Sequence, residues 1–150
     1  MYYTKIFKNS KIGTITRYGT AGFETHHKPA GTVLTVAFEL DGQAFTALNG
    51  GPEFKFNEAV SMQVHCANQE EIDYYWEKLG AGGDPAAQIC GWLKDKYGLS
   101  WQIVPENQDE FFKDENSPGA QRAMEALLKM KKIDLAELRR AHDGAMAGVN

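Results

Sequence analysis

The sequence predicts an α+β protein made of two related, strand-rich halves and a helical tail, and three observations carry that reading. Asp41-Gly42 separates two alternating runs, residues 32–40 and 43–48, which is the strongest short-range hairpin signal available. After Gly50-Gly51-Pro52 the pattern restarts, so a strand–helix–strand–strand–strand order recurs over roughly 50 residues, the mark of an internal duplication. Ser117-Pro118 and Asp134 with Glu137 then announce two helices in the last third. With 150 residues, one compact domain with a real core is expected.

Element by element, residues 1–8 read as the end of a helix, with Tyr3, Ile6 and Phe7 at helical spacing and Asn9-Ser10 as a stop. Residues 11–18 alternate and predict a strand. Residues 19–31 (GTAGFETHHKPAG) predict a Gly/Pro-punctuated mobile loop. The two hairpin strands follow, then a linker at 54–57. Residues 59–66 predict a strand, and a helix opens at Asn68 or Gln69 with Ile72, Tyr75, Trp76 and Leu79 on one face. Residues 88–94 and 99–104 predict a further hairpin around Asp95-Lys96-Tyr97-Gly98. In the tail, residues 117–130 and 135–142 predict narrow-striped helices that cover a surface rather than form a core. Residues from Gly144 onward are expected to fray.

Charge excludes some functions. Sixteen Lys and Arg against twenty Asp and Glu give a net charge of -4, with no basic stripe to track phosphates, so no nucleic-acid partner is expected. The apolar runs fall far short of the ~20 residues a membrane span needs, and MYYTKIFKNSK lacks the apolar core of a secretory signal. Only Cys66 and Cys90 are present, outside any CxxC pair, which suits free thiols in the cytoplasm.

Other chemistries are weaker. Leu79-Gly80-Ala81-Gly82-Gly83-Asp84 resembles a cofactor-cradling loop, but it follows a predicted helix and leads to a strand, the reverse of what phosphate binding requires. It reads as a helix stop, which argues against an ordinary S-adenosylmethionine fold. Cys66 neighbours His65 but points to the other face of its strand, so it reads as a small core residue. His26-His27 lies in the loop, and adjacent side chains there diverge, so solvation is the simpler account.

EFKFNEAVSMQVHCANQEEIDYYWEKL and CGWLKDKYGLSWQIVP, with KIGTITRYG, ELDGQAFTALNGGP and AMEALLKMKKIDLAELRRA, closely resemble the PhnB-like branch of the vicinal oxygen chelate (glyoxalase, bleomycin-resistance, dioxygenase) superfamily. Domains of this kind often carry the label 3-demethylubiquinone-9 3-methyltransferase, which is not taken as a function. The resemblance implies paired βαβββ modules forming curved mixed sheets around a cavity, usually in a homodimer. It divides the chain into a first module at 1–57, a second at 58–106 and a tail at 107–150. The first module lacks the opening strand of the pattern. Either the chain begins inside a longer protein, or a partner supplies the strand, and a homodimer is expected. The loop at 19–31 would lie near the cavity mouth.

Strand alternation puts a mixed-polarity face toward that cavity. The expected pocket residues are Glu39, Asn49, Ser61, Gln63, His65, Ser100 and Gln102, with Cys90 and Trp92 sharing a face that a possible bulge at Gly91 leaves unassigned. Trp101 belongs to the opposite, core face. Metal enzymes of the superfamily place His, Gln or Glu at inward positions of the first and last strands of each module. Here the matching positions carry Ser61, Gln102 and Ala47, with Asn49 one step along, a set ill-suited to a divalent ion. No metal or other cofactor is expected, and catalytic residues stay unassigned. The reading is a small organic ligand held in a metal-free cup. The alternatives are a metal-dependent glyoxalase- or dioxygenase-type enzyme, or a structural dimer with a vestigial pocket.

Overall fold

The protein was analysed as a computed structural model, which describes residues 1–144. The chain divides into two compact units, Met1–Lys55 and Phe56 onward.

The first unit opens with a single helical turn, α1 (Tyr3–Ile6), and continues into an antiparallel meander, β1 (Lys11–Arg17), β2 (Val33–Leu40) and β3 (Gln43–Leu48), in the order β1-β2-β3. The Asp41-Gly42 hairpin forms as the sequence predicts. Both central residues take positive φ, 47° and 79°, as a type I′ turn requires, and Leu40 pairs with Gln43. Phe38 and Phe45 face each other across the two strands with ring centroids 5.5 Å apart. β1 slips register against β2 between Ile12 and Ile15, a bulge opposite Ala37.

The loop at 19–31 contains local structure of its own. It holds a helical turn, α2 (Phe23–His26), entered through Gly22 and left through His27, both in left-handed backbone. His26 is its hub. The ring stacks beside Tyr18 at 4.5 Å, Nδ1 accepts from the Lys28 N–H, and Nε2 lies 3.1 Å from the Ala21 carbonyl oxygen. Nδ1 as an acceptor puts the ring proton on Nε2, which donates to Ala21. Both nitrogens of His26 therefore serve the loop itself.

The second unit starts with β4 (Ser61–Cys66), followed by α3 (Gln69–Gly80), β5 (Trp92–Lys94) and β6 (Ser100–Pro105). Asn68 caps α3 by accepting from the Glu71 N–H, and Glu71 reaches back to the Ala67 N–H. The strand order is β4-β6-β5, with β4 parallel to β6 and β5 antiparallel to it. α3 supplies the crossover that a parallel pair needs.

The predicted strand at 88–94 is interrupted. Ile89 forms only a one-residue bridge to Trp92, and Cys90 and Gly91 between them have φ of 51° and 82°, a second type I′ turn. A Cβ at Gly91 would stand 2.9 Å from Ile133 Cδ1 and 3.0 Å from the Ile103 carbonyl oxygen, so the turn leaves room for glycine alone. Allowing for this turn, Ile89, β5 and β6 repeat the meander of β1, β2 and β3.

Beyond β6 the chain forms α4 (Asp109–Phe112), α5 (Pro118–Leu127) and α6 (Leu135–Asp143). The predicted caps form at Ser117, which accepts from Ala120 N–H, and Asp134, which accepts from Glu137 N–H. The expectation that these helices merely cover a surface is overturned: Phe111, Ala120, Ala123, Ile133 and Leu138 are all buried. Small alanines let α5 and α6 approach closely, so a narrow stripe suffices to make a core. Within the second unit, the tail is stitched to the turn ahead of β5 by backbone bonds from Cys90 N–H to Met130 O and Gly91 N–H to Lys131 O. Gln69 adds a two-point clasp, donating to Ile133 O and accepting from Leu135 N–H. Gly144 caps α6 in left-handed backbone, and the rest of the segment expected to fray, residues 145–150, lies outside the described residues.

Candidate functional site

The sheet of the second unit has two unlike faces. On one, Val64, Cys66, Leu93, Trp101 and Ile103 are buried together with Ile72, Tyr75 and Leu79 of α3. Burial pushes the Cys66 thiol up to about 12, with the Glu71 and Glu106 carboxylates adding to the effect, so it stays protonated and unreactive. Cys66 is a core residue, as its strand position implied.

The other face carries Ser61, Gln63 and His65 from β4, opposite Ser100, Gln102 and Val104 of β6, with Trp92 and Lys94 of β5 paired to Gln102 and Ser100. Trp92, which alternation left unassigned, is thereby placed beside Gln102. Three polar side chains form a ladder across the strands. Gln63 Nε2 donates to Gln102 Oε1 at 3.2 Å, and Gln102 Nε2 donates to Ser61 Oγ at 2.8 Å. His65 and Gln63 are exposed, whereas Ser61, Gln102 and Trp92 are half-buried. Ser100 is on this face by register but only 1% exposed, and its hydroxyl has no hydrogen-bond partner among the described residues. Lys94 forms an ion pair with Glu58, which holds the Glu58 carboxyl below its usual range.

The other expected site residues, Cys90, Glu39 and Asn49, are on other segments of the chain. Cys90 sits in the turn ahead of β5 with its amide bound to the tail, so it shares no strand face with Trp92. Glu39, in the first unit, pairs with Lys11 at 3.1 Å beside a shallow hollow of about 260 Å³ floored by Gly13, Ala37, Ala44 and Thr46. Asn49 closes the end of β3: Nδ2 donates to Val33 O, and its carbonyl accepts from Tyr18 Oη.

Sequence reasoning missed Asp95. Its carboxylate is 2% exposed and accepts from the Tyr97 N–H, the Leu99 N–H and the Trp101 indole N–H, at 2.8, 3.2 and 2.9 Å. It fixes the β5–β6 turn and anchors Trp101 on the core side. The signal was available: an Asp opening an Asp-x-x-Gly turn, with a tryptophan as the second residue of the next strand.

The donor set of the polar face does not fit a divalent cation. Transition ions favour imidazole, carboxylate or thiolate lone pairs, and hard divalent ions want charged carboxylates among their oxygens. Ser61 and Gln102 offer a neutral hydroxyl and a neutral amide, and each already takes part in the ladder. Among the described residues no three His, Cys, Asp or Glu side chains gather in a way that could hold an ion. The glycine-rich stretch follows α3 and leads to a 3-10 turn at Pro85–Ala87, with Asp84 accepting from the Ala86 N–H. It is a helix stop, as predicted.

Two three-stranded sheets, one containing a parallel pair bridged by a helix, together with C-terminal helices, define an α+β protein with a repeated strand-meander plan. Residues 1–104 match the family described as 3-demethylubiquinone-9 3-methyltransferase, and the chain belongs to that family. The solved structure of a PhnB protein from Bacillus cereus is similar at 35% identity and a TM-score of 0.56, over 69% of this chain and 85% of that one. A Staphylococcus aureus protein of known structure matches at 26% identity over 67% of this chain and 78% of its own, but its TM-score of 0.27 carries no structural argument. No curated protein matches the chain. Among the described residues, no helix is long and apolar enough to cross a membrane.

Proposed function

We propose that this chain binds a small organic ligand on the polar face of its second sheet, without a metal, as a PhnB-like member of the vicinal oxygen chelate superfamily. The observation that carries the reading is the Ser61–Gln102–Gln63 ladder. A polar row on the face of a sheet whose other side is packed under a helix costs packing, and binding gives it a use. The family description alone does not make it a methyltransferase, because its one glycine-rich stretch ends a helix instead of opening one. A panel of small aromatic and phosphorylated compounds tests the reading by thermal shift. Stabilisation lost on substituting Gln102 or Trp92 supports it, and no shift with any compound counts against it. The metal-dependent alternative predicts about one tightly held divalent ion per chain, which elemental analysis after dialysis decides.

We also propose that the protein acts as a homodimer in the cytoplasm. Among the described residues β3 pairs only with β2, and its other edge turns the N–H and C=O groups of Ala44, Thr46 and Leu48 outward. That edge is regular, neutral and free of proline, with none of the usual guards against pairing. Leu48, Phe23 and Ile15 are exposed on the same unit. Light scattering at micromolar concentration tests the dimer, and a soluble monomer would contradict it.

A further inference from the structure

The direction of the hydrogen-bond ladder, the charge of its surroundings and the tryptophan beside it together specify a chemical class of ligand. Ser61 ends the ladder on one side, and Gln102, half-buried between its neighbours, gives the ladder one lone pair of its oxygen and one N–H. Gln63, at the open end, spends one N–H on Gln102. That leaves one N–H and the carbonyl oxygen of an exposed primary amide. A carboxamide in this state presents one donor and one acceptor. Its complement is another amide edge: a carboxamide, lactam or imide.

Charge points the same way. The residues of this face on β4, β5 and β6 include a single cation, Lys94, and Glu58 already neutralises it. A carboxylate or phosphate docked here would surrender its hydration without a countercharge. An uncharged ligand avoids that cost. Trp92 stands half-buried next to Gln102, so a planar ring can stack on the indole while its amide edge meets Gln63.

We infer that the polar face of the second sheet recognises an uncharged, planar ring bearing an amide-type edge, and discriminates against the corresponding anion. The inference rests on the ligand-binding reading above and sharpens it.

Benzamide and benzoate form a matched pair, equal in shape and differing in charge and donor pattern, with phenyl phosphate as a second anion. Each is titrated into the full chain while tryptophan fluorescence is recorded, in the wild type and in the Trp92→Phe and Gln63→Leu variants. Benzamide is expected to give a saturable change at least about tenfold tighter than benzoate. Trp92→Phe should abolish the signal. Gln63→Leu, a change at an exposed position, should weaken benzamide about tenfold and leave benzoate unchanged. If benzoate or phenyl phosphate reaches Trp92 as well as benzamide does, the amide inference is overturned and the small-ligand reading stands. If no probe perturbs Trp92, both are overturned.

Discussion

The two units carry the same three-step meander and differ in what covers it. In the second unit α3 lies over one face of the sheet, and Ile72, Leu79, Ile103 and Cys66 are fully buried. In the first, the helical segment is a single turn, and only Ile6 and Leu40 are buried. Strand chemistry is comparable: Val36 and Phe38 of β2 are as apolar as Val64 and Ile103. A β-meander fixes pairing and register, and a core needs a second layer. The helix therefore decides which unit builds a core beneath its sheet.

The largest expected effect sharpens this contrast directly. Ile103→Ala should destabilise the protein by about 3–4 kcal/mol in urea unfolding, whereas Val36→Ala in the first sheet should cost less than about 1.5 kcal/mol. Similar losses at both positions would mean that the first unit hides its strands as well as the second. Next comes Asp95→Ala, which strands the buried Trp101 indole N–H and two part-buried amides and should cost about 2–3 kcal/mol, with a red-shifted tryptophan emission as Trp101 loses its anchor. Unchanged stability would show that the turn is held by packing alone. Gln69→Ala removes both bonds of the tail clasp, and a loss of about 1–2 kcal/mol is expected, read as faster hydrogen exchange at Cys90 and Gly91.

A smaller effect follows from pH. A hydrogen bond from Lys132, with one from Gln69, holds the Asp73 carboxyl below its usual value. A depressed carboxylate stabilises the fold above its unfolded pKa, and that contribution fades as pH falls through the folded pKa. Acidification below about pH 4 should loosen the tail clasp, more in the wild type than in Asp73→Asn. The group is half exposed, so the shift should be slight and should shrink in salt. Thiol labelling separates the two cysteines: iodoacetamide should modify Cys90 in the folded protein and leave Cys66 untouched until it unfolds.

Much of this architecture was legible in the sequence because its signals are local. The Asp41-Gly42 turn, the Asn68, Ser117 and Asp134 caps and the period-2 alternation of β4 and β6 depend on neighbours within a few residues, and each formed as expected. The alternation also put Gln63 and Gln102 on one side and Trp101 on the other. What escaped depends on contacts far along the chain. Nothing near Cys90 reveals that Ile133 and the Ile103 carbonyl crowd Gly91 into a turn, or that Met130 and Lys131 take up the turn amides. His26 as a loop hub, and the tail as a packed core, are likewise invisible until Tyr18 meets the ring and Ala123 meets its neighbours. The ladder itself lay between these extremes: the face was readable, the direction of its hydrogen bonds was not.

The proposed binding surface is the polar face of the second sheet. The most direct measurement is a heteronuclear NMR titration of the full chain with benzamide, following the side-chain amides and indoles. Shifts concentrated at the Gln63 and Gln102 amide groups and the Trp92 indole N–H, with Trp101 unmoved, are the predicted result. Shifts confined to the first unit or to the tail helices, with Gln63 and Trp92 silent, would contradict it.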